Sequence, residues 1–378
     1  MGKDGKADKK PRRCRGDRAK HAKTIISKTI PAMLKSDPRA RRGVESAVLI
    51  ADPPEAPGDA DGDGDGDGDG KGKGKSGGRG DGGGAKITLS VADALAAAHR
   101  LHLGPGRPPP SASTCSPRPG RGGNGRGNLG GRGRESRVAV LNMASPLRPG
   151  GGILTGATSQ EESLCSRTTL YPSLREEWYR LPELGGVFTR DVLVFSTACD
   201  NGAGCGPGVG AGGDTKGGKS AGDEDGEAKG RELGKEDWFF VDVVTAAMVR
   251  FPDVVEKPTG GTGGEEEAEQ VYAEEKDREM AVSKMRAVMR ILKSKAVDKV
   301  VLGAWGCGAY GNPVGEVARA WRKVLLGNGK DTRGRVKGRE GWDGLEVVFA
   351  INDGKMAERF AQCFGEGLVV GLGHESRS

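Results

Sequence analysis

Glycine limits where this chain can fold: 67 of its 378 residues are Gly, concentrated in tracts that hold almost no apolar side chains. From Pro53 to Gly84 the sequence is an Asp-Gly repeat, a Lys-Gly repeat and further glycine. Gly104 to Glu135 is rich in Pro, Gly and Arg, and Gly202 to Lys235 mixes Gly with charge. Such segments have too little surface to bury to offset the entropy lost on ordering. Aromatic residues make up only 4% of the chain, so the remaining apolar residues suffice for one compact domain and a smaller accessory piece. The expected division is a helical N-terminal extension over 1–51 and 87–103, linkers at 52–86 and 104–136, and a main domain over 137–370 with insertions at 202–235 and 258–267.

The formal charge of +7 is spread and mixed in sign, with much of the basic excess in Gly/Arg stretches such as Arg118 to Arg137. It does not argue for sequence-specific nucleic-acid binding. No run approaches the 18 or so apolar residues of a membrane span, and the N-terminus has no apolar signal core. Seven cysteines without a Cys-x-x-Cys pair argue against a disulfide framework or a zinc ribbon. These features point to an intracellular protein of the nucleus or cytoplasm, expected to be monomeric. The run Lys9 to Arg15 reads equally as an import signal or a solvated basic tail.

Inside the main domain, Val138-Ala139-Val140-Leu141-Asn142 is a continuous apolar run ending in a polar residue, the mark of a buried central strand. Further strands are expected at 192–195, 238–244, 300–302 and 345–351, and helices from about 160, at 173–180, 274–293, 312–326 and 356–364. A helix after Ser90 is expected to use that hydroxyl as its cap, and Asn312-Pro313 reads as another helix start. Pro31 is expected to interrupt the helical spacing of 16–35. Strands alternating with helices define an α/β fold with a mixed sheet flanked by helices.

Short glycine motifs carry little weight here. A shuffled chain of this composition would hold about two Gly-Gly-Gly triplets. Gly213 to Ser220 satisfies the Walker A pattern, yet no hydrophobic strand precedes it and no helix pattern follows. The Asp-Gly run from Asp61 starts like a calcium loop but has Gly72 where the twelfth-position Glu belongs. The four histidines, His21, His99, His102 and His374, lie away from the other motifs, which disfavours a Ser-His-Asp triad or a His-based metal site. No metal and no cofactor is expected.

Residues 138–174 are different in kind. They place a buried strand, Asn142 at its end, a loop with Gly150-Gly151-Gly152, and Gln160-Glu161-Glu162 opening a helix. Ligands of open α/β sheets bind beyond the C-terminal strand ends, and consecutive glycines let backbone N–H groups close on an anion. Adjacent carboxylates on one helix point about 100° apart, so they can take two tasks in one cleft. Ser159-x-x-Glu162 also fits a capping box, in which Glu162 only satisfies the helix start. A helix N-terminus further favours an ionised carboxylate, whereas an acid must hold a proton.

This segment resembles the signature of bacterial-type poly(ADP-ribose) glycohydrolases, also found in fungi: a Gly-Gly-Gly loop, a spacer (here the seven residues Ile153 to Ser159) and Gln-Glu-Glu. Gly303 to Asn312 is similar to the family's second phosphate loop, with Tyr310 where the family usually has Phe. The resemblance implies a macrodomain-like fold and hydrolysis of the ribose–ribose O-glycosidic bond of poly(ADP-ribose), with poly(ADP-ribose) or ADP-ribosylated proteins as partners. It implies Glu162 as the catalytic acid, Glu161 on the ribose hydroxyls and Asn142 on the adjacent ribose. Gly150, Gly151 and Gly152, with Gln160, Gly306, Gly308, Ala309 and Tyr310, would complete the ligand site. A non-catalytic ADP-ribose-binding module and a mono-ADP-ribosyl hydrolase are the alternatives, since one scaffold hosts readers and erasers. Trp305 reads as core, and Cys165, Cys199 and Cys307 as small buried hydrophobes.

Deleting Asp59 to Gly80, which has nothing to bury, is expected to leave the melting transition and the activity unchanged. A lost transition would refute this.

Overall fold

The computed structural model describes residues 14–55, 85–104, 136–197, 231–258, 268–327, 340–342 and 344–371. The Walker-type match, the Asp61 run, Cys199, His374 and most of the linker and insertion residues lie outside them.

At the N-terminus, α1 (Arg15–Thr24) runs through a π-helical turn (Ile25–Thr29) into α2 (Ile30–Ser36), and α3 (Pro38–Glu45) follows. Pro31 does not break the path as expected. It stands in the first turn of α2, directly after the wider π turn, where its missing N–H is tolerated. The chain continues with β1 (Val48–Ala51), β2 (Lys86–Ser90), α4 (Ala94–Leu103), β3 (Val138–Met143), α5 (Gln160–Arg167), β4 (Gly185–Val194), β5 (Ser196–Thr197) and β6 (Arg231–Glu232). Then come β7 (Phe239–Ala246), β8 (Val254–Pro258), β9 (Ala268–Tyr272), α6 (Glu275–Ser294), β10 (Lys299–Leu302), α7 (Val314–Leu326), β11 (Glu346–Ala350), α8 (Gly354–Phe364) and β12 (Val369–Val370). These elements form two compact units, each assembled from separate stretches of chain.

Unit 1 comprises Met1–Asp52, Asn142–Asp253 and Trp305–Asn312. In it β4 pairs antiparallel with β1 (Val48 opposite Phe188) and with β7 (Val187 opposite Thr245), with a bulge between Thr189 and Val192. At the bulge Asp191 has φ 49°, donates its N–H to Asp242 and takes Arg39 of α3 onto its carboxylate at 2.7 Å. The same helix comes so close to β4 that a Cβ on Gly43 would overlap the Arg190 carbonyl. Only glycine permits that approach. Apolar clusters pack within the unit. Ile25, Ile30 and Phe195 form one with the N-terminal helices, and Ala47, Ala144, Leu181, Val187 and Ala247 form another.

Unit 2 comprises Pro53–Leu141, Val254–Ala304 and Pro313–Ser378. Its strands pair in parallel: β10 with β3 (Val300 opposite Ala139) and with β11 (Val301 opposite Val348), then β11 with β2 and β2 with β12. The apolar runs of β3, β10 and β11 are almost wholly buried, as parallel strands require. Trp321, Phe349, Phe360 and Phe364 pack ring to ring, with centroids 4.8 to 6.1 Å apart, and fasten α7 and α8 to β11. Pairs of this kind contribute about 1 kcal/mol each beyond burial. The chain passes from unit 2 to unit 1 within β3, at Asn142.

The α/β class is borne out, with several local corrections. Lys86–Ser90 is a strand in register with β11, so 87–103 supplies a sheet strand as well as a helix, and Val48–Ala51 likewise pairs with β4. Ser90 is not the cap of α4. Asp93 is, its carboxylate accepting the N–H groups of Leu95 (2.9 Å) and Ala96 (3.3 Å). Residues 173–180 hold only short 3-10 turns. The 202–235 insertion ends earlier than expected, since β6 pairs with β5, and Pro258 belongs to β8, which pairs with β9. Replacing Asp93 with Ala is expected to lower unfolding stability by about 1 kcal/mol, with Asp93→Asn close to wild type. Equal denaturation midpoints for all three would contradict the cap.

Candidate active site

Every residue expected at the site falls in unit 1. Next to the last residue of β3 stands Asn142, which is fully buried and donates from Nδ2 to the Thr245 hydroxyl of β7 at 3.2 Å, while its Oδ1 has no partner. The loop after β3 turns back through Gly150 (φ 64°) and Gly151 (φ 55°), conformations that other residues reach only with strain. A short 3-10 turn, Ile153–Thr155, then leads to α5.

The first turn of α5 is tied to that loop by three side chains. Gln160 accepts the Met143 N–H at 2.9 Å, Glu161 accepts the Ser145 N–H at 2.7 Å, and Glu162 accepts the Gly152 N–H at 2.6 Å. Both glutamates are buried. Their carboxylates converge on Gly151: a Cβ built there would stand 2.7 Å from Glu161 Oε2 and 2.7 Å from Glu162 Oε1. Gln160 thus spends its carbonyl oxygen on the strand end, where it sets the helix start rather than facing a ligand with that atom.

The capping-box reading fails. Ser159 stands at the N-cap, but its side chain accepts no N–H of the helix, and its hydroxyl instead meets Glu162 Oε2. Glu162 satisfies the loop, not the helix terminus. The carboxyl whose proton affinity the site shifts is Glu161. Burial pushes Glu161 up to about 8, the Ser145 N–H opposes this, the charge of Glu162 adds to it, and the nearby Asn142 amide and Gly150 N–H oppose it weakly. Oε1 of Glu161 is buried without a hydrogen bond. At neutral pH the unliganded site therefore keeps a proton on Glu161.

The loop from Trp305 to Asn312 forms the opposite wall. Gly306 (φ 84°) is packed against Met248 and Asn312, leaving no room for a side chain. Asn312, expected as a helix cap, donates instead to the carbonyls of Val249 (2.8 Å) and Gly306 (3.1 Å) and so pins the loop. Gly308 and Ala309 are exposed, with open space beside Gly308. Tyr310 is half-buried, its hydroxyl on the Ser145 side chain, and the charges of Glu161 and Glu162 help raise its proton affinity, burial being the larger cause. Trp305 is core, as expected. Burial drives the Cys307 thiol to about 12, so it stays protonated, and Cys165, one turn below the glutamates, is raised by burial and by their charges.

Several site residues escaped the sequence reading. Thr245 holds Asn142 from a strand 103 positions away. Arg15 and Arg18 of α1 donate to the carbonyls of Thr155 (2.9 Å) and Gly156 (3.0 Å), bracing the loop that carries Gly152. Ser145 alone left a signal, since it lies inside the unusual 138–174 stretch.

Fold and site together define an α/β protein with two glycine loops facing a buried carboxyl pair. Residues 81–200 match the family model for the microbial-type PARG catalytic domain, PARG being poly(ADP-ribose) glycohydrolase. That span includes Asn142, the glycine loop and both glutamates; the 303–312 loop lies beyond it. The structure is similar to that of poly(ADP-ribose) glycohydrolase from Thermomonospora curvata, at 19% identity over 92% of this chain and 99% of that one, with a TM-score of 0.54. A point mutant of the same Thermomonospora protein matches at 18% identity over the same shares, with a TM-score of 0.52. A Deinococcus radiodurans poly(ADP-ribose) glycohydrolase mutant in complex with ADP-ribose matches at 21% identity over 75% of this chain and 84% of that one, with a TM-score of 0.44. None of the curated proteins matches. The fold is the macrodomain-like fold of the glycohydrolase structures, and the resemblance seen in the sequence is borne out over 81–200.

The Glu161 carboxyl has a folded-state proton affinity above its unfolded value of 4.5. The stability tied to it is thus full below about pH 4.5 and lost as pH rises to about 8. Glu161→Gln, which cannot ionise, is expected to gain melting temperature relative to wild type progressively over that window and hold the gain above it. A difference that is flat with pH would refute the buried, protonated carboxyl.

Proposed function

We propose that this chain is a poly(ADP-ribose) glycohydrolase that cleaves the ribose–ribose O-glycosidic bond and releases ADP-ribose. The observation that carries the reading is the pair Glu161–Glu162, both buried and each held by a backbone N–H of the loop facing it. A pure binding module has no use for two buried carboxyls converging on one point of the loop, because burying them costs stability.

The Gly306–Tyr310 loop receives the diphosphate, while Gly150–Gly152, whose N–H groups are taken by Glu161, Arg148 and Glu162, line the site beside it. Asn142, with its free Oδ1, and Glu161, with its free Oε1, take ribose hydroxyls. Oδ1 of Asn142 accepts from one hydroxyl, and the protonated Glu161 carboxyl donates from Oε1 to the other. Glu162 acts in its protonated form, giving that proton to the leaving oxygen as the glycosidic C–O bond breaks through an oxocarbenium-like state. Water then adds to the ribose carbon, and its proton returns to Glu162. The Gly152 N–H and the Ser159 hydroxyl fix the carboxylate for both steps. Tyr310 offers a ring face to the bound ribose, with its hydroxyl anchored on Ser145. No helix among the described residues is long and apolar enough to cross a membrane.

Glu162→Gln is expected to bind ADP-ribose with affinity close to wild type and to lose polymer hydrolysis by roughly a hundredfold or more. Wild type that binds ADP-ribose and never releases it from polymer would make the chain a reader and contradict the proposal.

A further inference from the structure

Phe251 is an anomaly that the proposed reaction does not use. It is 61% exposed and has φ 52°, a conformation strained for a bulky residue that persists only where its surroundings impose it. A lone exposed phenylalanine is ordinary; one held in this conformation by its neighbours is not. Its N–H donates to the Tyr310 carbonyl at 3.1 Å, and its ring stands edge-on to Tyr310 at 5.9 Å. The Arg250 guanidinium lies over the ring at 4.9 Å. The segment is fixed at its start by the Ala144 N–H on the Ala246 carbonyl (3.0 Å) and by Asn312 on Val249. The charges of Arg250 and of both glutamates reach Tyr310. An aromatic face with an attached cation is thus held rigidly at the rim, one ring beyond Tyr310 from the reacting carboxyls.

We propose that Phe251 and Arg250 form a subsite for the neighbouring unit of the polymer, the one that carries the leaving hydroxyl, with Phe251 stacking on its adenine and Arg250 pairing with its diphosphate. The inference rests on the polymer reading above. It follows from what flanks the scissile bond: on the leaving side stands an adenosine, a flat base next to negative charge. Base–aromatic stacking needs an exposed ring, and a diphosphate needs an exposed cation. The subsite favours polymer over a single ADP-ribose attached to a protein side chain, because the latter has no base on the leaving side.

The test compares wild type, Phe251→Ala and Phe251→Tyr in two measurements: kcat/KM for ADP-ribose release from purified polymer, and Kd for free ADP-ribose. Loss of the ring is expected to lower polymer kcat/KM by roughly ten- to a hundredfold with Kd unchanged, and Tyr is expected to restore most of the loss. Unchanged polymer turnover overturns the proposal. A parallel loss of ADP-ribose affinity also overturns it, since the ring would then serve the bound unit. Should Phe251→Ala fail to fold, Arg250→Glu replaces it, with the same pair of outcomes. Wild type that releases no ADP-ribose would instead remove the polymer reading itself, so the two failures are distinct.

Discussion

Two backbone N–H groups hold this site together: Ser145 on Glu161 and Gly152 on Glu162. They let two adjacent glutamates be buried at the start of one helix and still present oxygens to a common point. Without them, desolvation would push both side chains outward or force both to stay neutral. The need for those donors explains the loop. Gly150 and Gly151 take positive φ to bring the chain back over α5, and Gly151 leaves free the space that both carboxylates occupy. The loop is braced in turn by Gln160 on the end of β3 and by Arg15 and Arg18 from the N-terminal helix.

The same interaction divides the labour between the glutamates. Glu162 accepts its N–H and the Ser159 hydroxyl, two donors that fix its direction. Glu161 has one strong donor and one bare oxygen, so burial dominates and its proton affinity rises to about 8. One side chain is held in place and the other is left wanting a hydrogen-bond partner, which suits a ribose diol. Burial keeps a proton on Glu161, where the helix-terminus argument alone predicts an ionised carboxylate.

Much of this was legible in the sequence because it is local. Asn142, the glycine triplet and Gln160-Glu161-Glu162 follow one another closely, on a strand, a loop and a helix whose patterns are clear. The cap of α4 was misplaced because Lys86–Ser90 takes its structure from pairing with β11, 260 residues away, not from local propensity. Asn312 was misread for a similar reason, as its amide is claimed by Val249 and Gly306 across unit 1. Thr245, Arg15 and Arg18 left no local trace, because their contacts exist only once β7 and α1 are in place. The capping-box alternative was reasonable from spacing alone, and the Ser159 and Glu162 geometry removed it.

The most direct test of the account is a crystal structure of the Glu162→Gln protein with ADP-ribose. The account predicts diphosphate oxygens within hydrogen-bond distance of N–H groups in the Gly306–Tyr310 loop, and ribose hydroxyls on Glu161 Oε1 and Asn142 Oδ1. ADP-ribose bound elsewhere, or seated with its ribose away from residues 161 and 162, would contradict it.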